Sequence, residues 1–181
     1  VITRFLPKQM LTVNNLLGKY DSRRYFAVRK VKLSDIIGGM ELQFDEMTYF
    51  LNRQTGEVVG IQNEEFRAAE EDEPLENYPE WQRESIVIAG EILSTDKYIP
   101  LPTKFEINEY AMMEEFCFSL EDERLSNILA DSIRGRGAFR RFKDNIYRYG
   151  LQDEWYRFRD RAYKQIAIEW CRENGVDFEE D

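Results

Sequence analysis

Residues 137–175, GAFRRFKDNIYRYGLQDEWYRFRDRAYKQIAIEWCRENG, decide the fold. Two helical periods run through them, broken at Gly150. In the first, Phe139, Phe142, Ile146 and Tyr149 recur at spacings of three, four and three, which predicts a helix over 137–149 with these four on its core face. In the second, over 152–173, Trp155, Phe158, Ala162, Ile166 and Trp170 form the apolar stripe, and Gly175 follows as a stop. Further helices are predicted near 108–118 and 121–133, so the second half of the chain reads as a helical bundle.

Upstream the pattern changes. Tyr49, Phe50 and Leu51 face Val58, Val59 and Ile61 across a Gln54-Thr55-Gly56 turn, the signature of a β-hairpin in which Gly56 supplies the positive φ. Ser34 is placed to cap a short helix through Leu42, whose Gly38 and Gly39 either weaken it or admit a close neighbour. Asn63 is placed to cap a helix bearing Phe66 and Ala69. Pro79 opens another through Leu93, with Trp81, Ile88, Ile92 and Leu93 expected inside. Tyr98–Pro102, YIPLP, reads as an edge strand or connector. The expectation is an α-rich α+β protein: a small α-β-β-α unit over 31–75, then a helical part over 78–176, together one compact domain. Residues 1–30 stand apart as a basic extension, either an arm or an addition foreign to the domain, and 177–181 as an acidic tail expected to fray.

The 181 residues carry a formal charge of −10, but in blocks. Residues 1–30 hold seven Lys/Arg and one acid; 63–96 hold eleven acids against Arg67 and Arg83; 134–164 hold ten basic residues against four acids. The acidic run Glu70-Glu71-Asp72-Glu73 has no calcium-loop spacing and reads as a solvated face. No histidine occurs, which removes Ser-His and Cys-His nucleophile pairs, the HExxH zinc helix and Cys/His fingers. Cys117 and Cys171 lack CxxC spacing and sit among apolar residues, consistent with small hydrophobes in a reducing, cytoplasmic protein. No apolar run is long enough to span a membrane, and no phosphate-binding or nucleophile-elbow motif is present. Nothing calls for a metal or a cofactor.

The candidate site is the basic island RGRGAFRRFKD, Arg134–Asp144. Helical phasing assigns Phe139 and Phe142 to the core, which leaves Arg134, Arg136, Arg140, Arg141, Lys143 and Arg148 to carry surface chemistry. Arg141 and Arg148 are expected on the solvent face. Arg134 and Arg136, in a glycine-flanked turn before a helix N-terminus, could hold a phosphate or carboxylate, or pair with the protein's own acids. Arg159 projects from the apolar stripe of the last helix and requires a carboxylate from another helix, with Glu114 and Glu115 the candidates. These features favour a non-enzymatic binding or regulatory module for an acidic protein or an anionic ligand. A hydrolase-like enzyme using Asp/Glu and Arg is the alternative, and a nucleic-acid-binding protein ranks behind, because a −10 chain repels polyanions. Composition does not set the oligomeric state.

The strings VKLSDIIGGMELQFDEMTYFLNRQTGEVV (Val31–Val59), EYAMMEEFCFSL (Glu109–Leu120), GRGAFRRFKDNIYRYGL (Gly135–Leu151) and WYRFRDRAYKQIAIEWCRENG (Trp155–Gly175) resemble a bacterial uncharacterised family, number 158 of the UPF series. The resemblance covers about residues 31 to 176. It implies no activity and carries over no site residue, because the family's name records that no function is assigned to it.

Overall fold

The computed structural model describes residues 30–181; all but the last residue of the expected basic extension lie outside it. The described chain runs β1 (Val31–Lys32), α1 (Leu33–Glu41), β2 (Met47–Asn52), β3 (Val58–Gln62), α2 (Asn63–Glu70), α3 (Glu80–Ser94), β4 (Tyr98–Pro100), α4 (Lys104–Ile107), α5 (Glu109–Ser119), α6 (Glu123–Ser132), α7 (Ala138–Arg148), α8 (Gln152–Asn174) and β5 (Phe178–Glu179). It is an α-rich α+β protein, as the sequence predicts.

The hairpin forms where alternation places it, with Tyr49 opposite Gly60 and Phe50 opposite Val59, and Gly56 turns it at φ 77°. Tyr98–Pro100 adds to the other side of β2, giving an antiparallel sheet of order β3-β2-β4 with the proline-bearing strand at its edge. Because successive side chains alternate between faces, the sheet has two different covers. Tyr49, Leu51, Val58 and Ile99 face the main core. On the opposite face Phe50 meets Phe66 of α2 edge to face, with ring centroids 5.7 Å apart, and α2 and α3 pack together against β3.

That packing corrects two expectations. Trp81 is 72% exposed and Leu93 is also exposed, while Gln82, Ile86 and Ala89 form the buried stripe of α3. In α2 the innermost residues are Glu65 and Ala68, one position before the expected Phe66 and Ala69. Small residues, Ala68 and Ala89, are buried here, and only a narrow strip of each helix lies against a neighbour. Glu65 is tolerated inside because its carboxylate accepts the Gln62 N–H at 2.7 Å, closing the helix start.

On the main side, α1 presses onto the sheet at Gly39, where a Cβ would lie 2.6 Å from Leu101 and 2.8 Å from Val58. Gly39 is therefore the close approach that the paired glycines allowed. Buried Gln43 ties the end of α1 to the strand exit by donating to the carbonyls of Leu101 and Pro102. Helix α8 packs against α1, α5 and α7. Phe116, Phe142, Trp155 and Phe158 form its aromatic centre, with Phe142 and Trp155 only 4.8 Å apart.

The acidic end does not fray. Phe178 and Glu179 pair in parallel with Val31 and Lys32, and the Asp181 carboxylate accepts both the N–H (3.2 Å) and the hydroxyl (2.6 Å) of Ser34. Ser34 is thus inside α1, with Lys32 at the cap position, and a residue from the far end of the chain satisfies the helix start. Among the described residues no helix is long and apolar enough to cross a membrane.

Candidate functional site

The turn between α6 and α7 is built around one arginine. Gly135 (φ 73°) and Gly137 (φ 82°) adopt the left-handed conformation, and the loop turns three carbonyls toward Arg141. Arg141 Nε donates to Ser132 O at 2.9 Å, Nη1 to Arg136 O at 2.6 Å and Nη2 to Arg134 O at 2.5 Å. These are the acceptors that a helix end and a tight turn leave unpaired, and a single planar guanidinium supplies the donors. Arg134 lies 3.4 Å from Asp131, a contact between two exposed side chains that contributes little.

Arg136 sits in the loop; Arg140, Lys143 and Arg148 are exposed on α7. Among the described residues none of these four forms an ion pair with a carboxylate. The core expectation for the helix holds at Phe142 and Ile146, and Tyr149 packs partly buried, but Phe139 is 49% exposed. The reason is its place in the first turn, where the α6–α7 loop leaves it uncovered. Phe139, Lys143 and Tyr147, spaced by four, form one outward stripe with Arg140 beside it, whereas Arg148 lies on the other flank. The six basic residues named from the sequence are therefore three kinds: one latch, one half of a weak pair, and four cations facing solvent.

Beside the stripe lies a crevice between α5, α7 and α8, about 330 Å³, walled by Phe139, Lys143 and Tyr156 and floored by Met113, Phe142 and Trp155. Glu109 and Arg159 close its inner end. On their other side is a second hollow of about 490 Å³ that shares Glu109 and Phe139 and is rimmed by Phe105, 92% exposed, and Tyr110. The wall between them is a charge network. Arg159 donates from Nε (3.1 Å) and Nη2 (3.0 Å) to Glu109 Oε1 and from Nη1 (2.6 Å) to Glu41, and its guanidinium carbon stands 4.3 Å over the Tyr163 ring. The Tyr163 hydroxyl donates to the same Glu109 oxygen at 2.7 Å.

Burial alone would pull the Arg159 guanidinium down, but the hydrogen bond to Glu41, with Tyr163 and Glu109, more than offsets this and holds it above its ordinary value. Burial, and then the Glu109 hydrogen bond, push the Tyr163 phenol well up, so it remains a donor.

The sequence demanded a carboxylate for Arg159 but pointed to Glu114 and Glu115; the partners are Glu109 and Glu41. The overlooked signal is the phase of α5. Glu109 stands three, four and seven residues before buried Met112, Met113 and Phe116, hence on the inner face. Phe105 and the one-turn α4 were not foreseen either, although Thr103 and Glu106 form the capping box that starts α4.

A larger hollow, about 590 Å³, lies between the α5–α6 turn and the start of α8. Its Arg157 and Arg161 face Glu121, Asp122 and Glu154, and Arg157 bonds a carbonyl of its own helix, so it has no surplus of positive charge. Among the described residues no cluster of three or more Cys, Asp or Glu is placed to hold a metal ion. Cys117 and Cys171 are buried free thiols, each pushed up to about 11 by burial.

The model of the Uncharacterised protein family UPF0158 matches residues 28–181, and the chain belongs to that family. The UPF0158 protein PA5073 of Pseudomonas aeruginosa is 25% identical over 147 residues, covering 76% of this chain and 85% of that protein. No solved structure matches the chain.

Proposed function

We propose that this UPF0158 protein is a non-enzymatic binding module that holds an acidic partner or an anionic ligand on the exposed side of α7, with Arg136, Arg140, Lys143 and Arg148 as the contact cations. The observation that carries the reading is that these four are without a carboxylate partner among the described residues of a chain with 35 Asp and Glu. A basic surface on a −10 molecule concentrates the field on one helix and steers an anionic partner there. Arg141 and Arg134 shape the loop rather than contact the partner.

The chemistry of the remaining groups supports binding over catalysis. There is no histidine, both thiols are buried with raised pKa, and Glu109 Oε1 is saturated by Arg159 and Tyr163. The buried free thiols also fit a cytoplasmic location. A second reading, single-stranded nucleic acid, gains from one observation: Phe139 and Tyr147 are outside, interleaved with Arg140 and Lys143, as a stacking surface requires.

Affinity capture from native lysate, with and without RNase, tests both. Replacing Arg140→Glu together with Arg148→Glu should abolish recovery of the acidic partner while the melting temperature stays within about 2 °C, as for surface substitutions. Recovery that survives the double reversal removes the proposal; recovery that is lost only on RNase treatment moves it to nucleic acid.

A further inference from the structure

We propose that the crevice between α5, α7 and α8 is a binding site for a small aromatic carboxylate. It rests on the reading above only in taking an anion as ligand, and it gives that ligand a ring and a place. Two cations, Lys143 and Arg159, and one carboxylate, Glu109, line the crevice. Glu41, outside the lining, is the second carboxylate on Arg159, so Lys143 is the lining cation without a carboxylate partner among the described residues, and a single anionic group would pair it.

Donors are also in surplus. A guanidinium has five N–H groups, and Arg159 commits three to Glu109 and Glu41, which leaves two; the Lys143 ammonium has no partner among the described residues. Two spare N–H groups on a planar fork and an ammonium are the donor set for a carboxylate. The Glu109–Tyr163 bond and the Glu41 contact hold Arg159 in one orientation, so the donors are fixed before the ligand arrives.

The rest of the crevice suits an aromatic ring. Phe139 and Tyr156, both about half-exposed, stand as its walls, and Trp155 and Met113 form an apolar floor. At about 330 Å³ it lies at the small end of the range for ligand pockets, roughly 300–1,000 Å³, which fits one or two fused rings and not a dinucleotide. The half-exposure of two aromatics that have a cavity between them is then explained: each is covered when a ring enters.

Titration calorimetry of the full chain with 2-naphthoate, 2-naphthamide and inorganic phosphate tests this. Naphthoate should bind one to one, naphthamide and phosphate at least about tenfold more weakly, and Lys143→Met should weaken naphthoate by at least about tenfold, the loss of one charge-assisted hydrogen bond. Phe139→Ala should weaken it as well, with unchanged melting. Equal binding of naphthoate and naphthamide, or a naphthoate affinity indifferent to Lys143→Met, overturns the proposal. Arg140→Glu with Arg148→Glu reports on the wider α7 surface. Partner capture lost in that variant, with naphthoate indifferent to Lys143→Met, sinks the crevice and leaves the binding surface standing. The reverse pattern sinks the surface alone.

Discussion

Arg159 is a charge set in an apolar stripe, and its cost is met by how completely it is hydrogen-bonded. The guanidinium joins Glu41 at the end of α1 and Glu109 at the start of α5 from its own position on α8, so one residue ties three helices. Replacing it by methionine keeps most of the volume but leaves two carboxylates side by side without a counter-charge. Arg159→Met should therefore cost about 2 kcal/mol, less than a fully buried pair because the partners are partly exposed. In a chain of this size that is a fall of roughly 4–8 °C in melting temperature. Tyr163→Phe should cost about 1.5 kcal/mol, and the two changes should be strongly non-additive because they share Glu109 Oε1. Additive losses in a double-mutant cycle would show that the network is only a set of neighbours. The need for a carboxylate at Arg159 could be read from the sequence, since a lone charge cannot sit in such a stripe. Which carboxylate could not, because Glu41 and Glu109 lie 118 and 50 residues away and only the tertiary fold brings them together.

At the scale of elements, α7 shows why the same residue type plays different parts. Arg141 lies on the flank that meets the α6–α7 loop, and Arg148, two turns on, has no loop to meet. Arg141→Met leaves three carbonyls to water and should cost about 1–2 kcal/mol, with faster amide exchange in residues 133–138. Arg148→Met should stay within about 0.5 kcal/mol. Equal costs for the two would mean that the loop holds its shape without the latch. The boundaries of α7 and α8 were legible because glycine and the 3.6-residue period mark them, and the hairpin because its alternation has a glycine turn. The buried face of α3 was not. Trp81, Ile88 and Leu93 make a plausible stripe, but among the described residues α3 packs chiefly on α2 and β3, and that narrow contact selects Gln82, Ile86 and Ala89 instead. An apolar period states which faces can be buried; the neighbour chooses among them. Phe139 follows the same rule, with the candidate crevice as its consequence.

Across the whole molecule, the sheet separates an α2–α3 layer from the main core, and the two ends of the described chain meet beside α1. This junction was illegible for a simple reason: two-residue strands have no period, and an acidic tail looks solvated until a helix start is found for it. Asp181 supplies acceptors where α1 exposes the Ser34 N–H and hydroxyl, while Glu180 meets Lys164 at 2.6 Å. The two Ser34 hydrogen bonds, side chain first and backbone second, hold the Asp181 carboxyl below its usual value. A depressed carboxyl stabilises the contact fully above the ordinary aspartate range, near pH 4, and the contribution is lost as pH falls through the depressed value. Protection of the Ser34 amide, its exchange relative to the intrinsic rate at each pH, should therefore be high at neutral pH and fall only in that acidic window. The exchange at Val31, which donates to Asp177 O at 3.0 Å, should follow it if the closure acts as a unit. Asp181→Asn removes the titrating charge and should give fast Ser34 exchange at neutral pH, with no acidic step. A Ser34 amide as protected in that variant as in the parent would show that the β1–β5 pairing closes the molecule by itself.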